Sequence, residues 1–362
     1  MTHEAGPATG NPETETPDSL GYYMPAEWAP HDATWLAWPH NEITFPKSII
    51  QRVEAAYAHM VSSLSHGEKV NVLVNDSTEK EKALKIISKH SWNEQNVIFH
   101  EIRSADVWIR DYGPTFLLHR KTGQKAAVKW NYNAYGGKYD DLLYDDKTGE
   151  DVVKSSGVKV FRPGIVLEGG SIDADGKGTI LTTEQCLLNK NRNPQLKRLQ
   201  IEEYVEQYTG SSKIIWLKSG IEGDDTDGHV DDFARFAENG AVLCAYGDGA
   251  DRNSTVLRRN LKILGESTDA AGNRLEVLKL PMPKPLVDEQ ENRQLPASYA
   301  NFYVGNKVVL LPVFGDANDG KAAEMLAGCF PGREIVSIMA NELVYGYGGI
   351  HCATQQEPAE RK

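Results

Sequence analysis

The chain has 362 residues, of which 40% are hydrophobic and 25% charged, and a formal net charge of −12 at neutral pH. Such a length supports a large core in one domain or two. The acidic balance argues against nonspecific nucleic-acid binding, which needs clustered Lys and Arg facing phosphates, and no apolar run approaches the length of a membrane span.

Residues 1–20, rich in Pro, Gly, Thr and Glu, read as a disordered tail, followed by a single domain over residues 21–358. His31 to Trp38 reads as a strand without a local partner, and helical periodicity follows in Lys47 to Leu64 and Thr78 to His90. Pairs of strand-like runs around a turn then recur at intervals of roughly 50 to 70 residues, a period typical of repeated architecture. Thr115 to Trp130 turns at Thr122-Gly123, Gly170 to Thr183 around Asp175-Gly176, Asp232 to Ala245 at Asn239-Gly240 and Asn301 to Phe314 at Gly305-Asn306. Helical patterns in Pro194 to Tyr208, Ser254 to Leu264 and Asn318 to Cys329 connect them. A fifth unit can be assembled from His31 to Trp38 and the region of Cys352, which would close a ring and cover its sheet edges. The expected class is α/β, a ring of about five hairpin-plus-helix units. Polar motifs cluster where hairpins begin, at Asp106 to Thr115, Glu168 to Ser171, Asp225 to Asp232 and Cys352, so units arranged about an axis would bring them together.

Four scattered cysteines with no Cys-x-x-Cys pair give neither a disulfide framework nor a zinc signature, and point to a reducing, cytoplasmic setting. Cys186, Cys244 and Cys329 sit in apolar contexts and read as small buried residues. Cys352 differs: glycines precede it, His351 adjoins it and polar residues follow, a setting for a reactive thiol. A thiol needs a base to become nucleophilic and a proton donor to expel a poor leaving group, and one histidine can do both. His229 and Asp231, if on a strand, would project to one face; a polar turn is the plainer alternative. His351, neighbouring the thiol along a strand, would point to the opposite face and serve structure. Arg110-Asp111 could be a local ion pair and Glu168-Gly169-Gly170 a simple bend.

Four segments in order, Trp108-Ile109-Arg110-Asp111-Tyr112-Gly113-Pro114-Thr115, Leu167-Glu168-Gly169-Gly170, Asp224-Asp225-Thr226-Asp227-Gly228-His229-Val230-Asp231 and Gly349-Ile350-His351-Cys352, resemble the agmatine deiminase and Porphyromonas-type peptidylarginine deiminase family of guanidine-modifying enzymes. The resemblance runs from Met24 to Gln356. It implies the pentein α/β-propeller, five pseudo-symmetric ββαβ-type units around a central active site. It makes Cys352 the nucleophile, His229 the general acid and base, Asp111 and Asp231 the guanidinium clamp, and Glu168 the carboxylate that orients His229. Trp108, Asp225 and Asn301 are further substrate-binding candidates, Asp225 for a distal amine. Gly349 joins Ile350 directly, where many agmatine deiminases carry an asparagine, which bears on how the distal end of a substrate is held.

The implied activity is hydrolysis of the C–N bond of a linear amidine, agmatine to N-carbamoylputrescine and ammonia in putrescine synthesis, through a covalent amidino-cysteine. The alternatives are deimination of arginine in peptides and, more distantly, a noncatalytic binding module of the same fold. No metal or organic cofactor is expected. The expected partner is a small cationic guanidine, with no nucleic acid and no membrane; a homo-oligomer is compatible with the sequence.

Overall fold

Apolar runs punctuated by glycine turns become short buried strands, and crossover helices cover them. The structure, a computed structural model, describes residues 15–289 and 291–361. Thr115–His119 pairs antiparallel with Lys125–Val128, which pairs in parallel with Lys159–Phe161. The same order recurs in Ile172–Ala174, Thr179–Thr183 and Lys213–Leu217, in Ala234–Phe236, Ala241–Tyr246 and Glu276–Pro281, and in Tyr303–Val304, Val308–Val313 and Glu334–Met339. A parallel neighbour needs a crossover, and the helices Asp145–Ser156, Arg198–Thr209, Arg252–Glu266 and Asp319–Cys329 supply one to each sheet.

The fifth sheet joins both ends of the chain. Gln355–Pro358 lies antiparallel to His31–Ala37, and Lys69–Val74 and Val97–Glu101 follow in parallel. The hairpin expected between distant segments is therefore present, as are the four local ones. A further two-stranded hairpin pairs Val287–Asp288 with Arg293–Gln294. Among the described residues no sheet closes on itself, and no helix is long and apolar enough to cross a membrane.

One expectation needs correction, and one helix had no counterpart among the helical patterns read from the sequence. Residues 1–14 of the anticipated tail lie outside the described residues, but Asp18–Leu20 forms a 3-10 turn and Tyr22 pairs with His119, so the ordered chain starts before residue 21. The helix Asp145–Ser156 carried too many charges and a mid-helix glycine to be read from periodicity. Tertiary contacts hold it: Asp145 accepts from the Ala105 and Asp106 amides at 2.6 and 3.0 Å, and a Cβ on Gly149 would lie 2.0 Å from the Tyr112 carbonyl oxygen, so the glycine permits close packing.

In each sheet the antiparallel strand at its start follows a short polar element. Ile109–Tyr112 precedes Thr115–His119, Gly169–Ser171 precedes Ile172–Ala174, and Val230–Asp232 precedes Ala234–Phe236. Asn301 precedes Tyr303–Val304, and Cys352 precedes Gln355–Pro358.

Candidate active site

Tight turns, not strands, carry the polar side chains. Asp111 sits on the single helical turn Ile109–Tyr112, where its Oδ1 accepts from the Gly170 amide at 2.9 Å and its Oδ2 from the Tyr135 hydroxyl at 3.0 Å. His229 precedes the 3-10 turn Val230–Asp232, which corrects the strand placement. Asp224 shapes that turn by accepting from the amides of Thr226, Gly228 and His229 at 2.7, 2.7 and 3.1 Å. The bend drives Asp227 and Gly228 to φ of 67° and 91°. Glu168 is buried rather than exposed at a bend, and its Oε1 takes the Arg192 Nε at 2.7 Å.

These turns converge over Gly170. A Cβ built there would lie 2.7 Å from His229 Nδ1, 2.9 Å from Asp111 Oδ1 and 2.9 Å from Asp231 Oδ2. Only a residue without a side chain leaves that point open. Cys352 Sγ lies 3.8 Å from Asp231 Oδ2. No hydrogen bond joins the thiol to His229, whose two ring nitrogens lack hydrogen-bond partners among the described residues, as does Glu168 Oε2, although His229 Nδ1 lies 3.7 Å from Asp111 Oδ1. The carboxylates of Asp111 and Asp231 thus stand with the imidazole and the thiol around one small space.

Burial pushes Asp111 up to about 6; the His229 imidazole opposes this, while Asp231 and Glu168 add to it. Burial and then the charges of Asp231, Asp232 and Asp111 hold the Cys352 thiol well above its ordinary value. For His229, burial favours the neutral ring, yet Asp111, Cys186 and Glu168 outweigh it and raise its pKa well above the usual imidazole value. In the empty site the Asp111 and Asp231 carboxylates thus stand beside a protonated thiol, and a forked cation is the ligand that such a pair accepts.

A cavity of about 320 Å³ opens above this centre, and Trp108, Asp111, Tyr135, Asp225, Tyr347 and Cys352 are among its lining residues. Trp108 is a wall; its indole packs so closely that a Cβ on Gly348 would meet the ring at 2.4 Å. Asp225 lies at the mouth and is paired with Arg293 at 2.6 Å. Asn301 lies behind the thiol, not among the cavity's lining. Its Nδ2 reaches Cys352 Sγ at 3.2 Å and Asp232 Oδ1 at 2.9 Å, and its Oδ1 accepts from the His351 amide at 2.8 Å.

Several neighbours escaped sequence reasoning. Arg110 pairs with Glu27 at 3.4 Å, not with Asp111. Arg192 grips Glu168 and Asp227, but Asn191-Arg192-Asn193-Pro194 gave no motif signal. Cys186, expected to be an inert apolar residue, brings its sulfur within 4.8 Å of a Glu168 oxygen and a His229 nitrogen; Asp231, Asp232 and Cys352 form a second such trio. A divalent ion at the first trio would face the Arg192 guanidinium. His351 and Cys352 both touch Asp231 Oδ2, at 2.6 and 3.8 Å, which corrects the opposite-face expectation: both residues lie in a turn, not a strand.

The α/β fold brings a buried thiol, an imidazole and paired carboxylates together, and at the level of fold the chain is similar to an amidinotransferase from Microseira wollei, with TM-score 0.51 and 13% identity over 94% of this chain and 98% of that one. Residues 23–358 match the model of the Porphyromonas-type peptidyl-arginine deiminase family, and the chain belongs to that family. Within it the chain is 39% identical to the agmatine deiminase of Stutzerimonas stutzeri over 368 residues, 96% of this chain and 98% of that protein. The solved agmatine deiminase of Enterococcus faecalis superposes with TM-score 0.87 at 33% identity, over 98% of this chain and all of that one (100%).

Proposed function

We propose that the protein hydrolyses agmatine to N-carbamoylputrescine and ammonia through a covalent intermediate on Cys352, a step of putrescine synthesis. The observation that carries the reading is the convergence over Gly170, where His229, Asp111 and Asp231 each lie within 2.9 Å of one point. The full-length likeness to agmatine deiminases favours this substrate over arginine in peptides.

A guanidinium is planar and forked, so Asp111 and Asp231 accept its N–H donors and fix its plane against the sulfur. Its charge offsets the carboxylates that hold the thiol protonated, so the thiol gives up its proton to solvent as the cation binds and the thiolate is left facing it. Sulfur then attacks the guanidino carbon. The imidazolium of His229 protonates the departing nitrogen, ammonia leaves, and the carbon stays on Cys352 as an amidino-thioether bearing the butylamine arm. The neutral imidazole next removes a proton from water, which attacks the same carbon; the C–S bond breaks and the ureido product departs. Glu168 orients the imidazole, and Arg192 holds Glu168 in place. Trp108 lines the path of the aliphatic stem.

In this reading the five sheets are pseudo-symmetric ββαβ-type units of a propeller, within one domain over residues 21–358. The repeated strand order and the polar element before each starting strand support it. Four unpaired cysteines are in keeping with a cytoplasmic setting. The direct test is mass spectrometry of the products after incubation with agmatine and with a peptide ending in arginine. Agmatine is expected to convert and the peptide to persist; the reverse would overturn the assignment.

A further inference from the structure

On the far side of Asp231 from the cavity lies a chain of alternating charge. Asp231 Oδ2 meets His351 Nδ1 at 2.6 Å, and His351 Nε2 meets Glu27 Oε2 at 2.7 Å. That same Glu27 oxygen lies 2.9 Å from Arg235 and 3.4 Å from Arg110, and its other oxygen accepts from the Val304 amide at 2.8 Å. Every member is buried. A histidine ring with a carboxylate on each nitrogen can donate to both.

Asp231 otherwise sits in a hostile field. Burial opposes its ionisation, and its charge in turn pushes up Asp232 on its own turn, Asp111 from the Ile109–Tyr112 turn and Cys352 beside His351. His229, His351 and Arg235 favour it, and the His351 contact is the foremost of these; together they hold Asp231 below the usual carboxylate range despite its burial. Its Oδ2 is taken by His351, while its Oδ1 has no hydrogen-bond partner among the described residues.

We propose that His351 is a positioning residue for the reaction: clamped between Glu27 and Asp231, its ring holds Asp231 Oδ2 and so fixes the carboxylate that faces Gly170 and the Cys352 thiol, where a guanidinium N–H is received. Glu27, contributed by the segment before the first strand of the fifth sheet, is the far anchor. The proposal rests on the deiminase reading above for what Asp231 binds, and its test separates the two.

The test compares wild type with His351→Asn, whose amide can replace the Nδ1 donor but carries no charge and cannot span to Glu27, and with Glu27→Gln. Calorimetric binding of butylguanidinium, which needs no turnover, is measured alongside the pH dependence of kcat/KM for agmatine. His351→Asn is expected to weaken butylguanidinium about tenfold at pH 7.5, raise KM more than it lowers kcat, and steepen the acid limb of kcat/KM below the Asp111 ionisation at about 6, as Asp231 rises into the same range. Glu27→Gln should move each quantity the same way by less. A purely structural role would lower the melting temperature of either variant and leave affinity and acid limb in place, and that result in whichever variant folds overturns the proposal. If wild type binds butylguanidinium but leaves agmatine untouched, the substrate assignment fails while the affinity comparison still judges His351.

Discussion

Asp111, which lines the cavity, and Asp231, buried beside it, have side chains 1% and 0% exposed and are fixed by contacts to the Gly170 amide and the His351 ring. At the mouth, Asp225 and Arg293 are 20% and 36% exposed, Arg293 stacks on Tyr347 at 4.2 Å, and the Tyr347 hydroxyl donates to Glu291 at 3.0 Å. The inner groups are locked by backbone turns and excluded from water, where a charge without its partner costs about 3 kcal/mol or more. The outer pairs belong to a short hairpin and face solvent, where an ion pair contributes at most about 1 kcal/mol. Chemistry is therefore expected to be intolerant of change, and the reception of the distal end of a substrate to be adjustable.

Substitutions at the two ends should break apart in size. Cys352→Ala is expected to lower turnover by about 10⁴-fold or more while circular dichroism stays that of wild type; ammonia release at the original rate would exclude covalent catalysis. Gly170→Ala introduces a methyl within 2.9 Å of His229, Asp111 and Asp231, and kcat/KM should fall about 100-fold because the reacting groups are displaced. A variant within twofold of wild type would mean that the convergence over Gly170 is not where the guanidinium sits.

Acidity sharpens the same contrast. With Asp111 at about 6 in the empty site and lower once a cation is bound, the complex holds fewer protons than the free enzyme in the window below pH 6. Affinity for butylguanidinium should be full above pH 6 and fall about tenfold per pH unit beneath it, with proton uptake on release. Calorimetry in buffers of different ionisation enthalpy reads both quantities. The smallest effect is expected at the mouth, where Asp225→Asn should raise KM for agmatine less than tenfold and leave kcat within twofold. A collapse of kcat there would place the mouth inside the reaction centre.

Much of the inner site was legible because its residues are chemically unusual in their surroundings: Cys352 after glycines, His229 among aspartates, Glu168 before two glycines. The hairpins were legible from glycine turns between apolar runs, and the joining of His31–Ala37 to the region of Cys352 followed from the need to cover sheet edges by closing the repeat, the structure pairing it with Gln355–Pro358. What failed was backbone detail. His229 and Asp231 were expected to face one way through strand alternation, whereas a 3-10 turn shaped by Asp224 does it. His351 was set aside by the same strand logic and lies against Asp231. Arg192, Cys186 and Glu27 reach the site from segments whose residue types carry no local signal, and the mouth rests on Arg293, whose pairing with Asp225 spans 68 positions.

The central claim is a sulfur–carbon bond formed between Cys352 and the guanidino carbon of a cation held by Asp111 and Asp231. Intact mass spectrometry of enzyme quenched with acid during turnover of agmatine tests it most directly. An added mass equal to agmatine less ammonia, mapped to the peptide containing Cys352 and lost on longer incubation, is the predicted result; steady product formation with unmodified Cys352 at every quench time, under conditions where a trapped thioether survives, would contradict it.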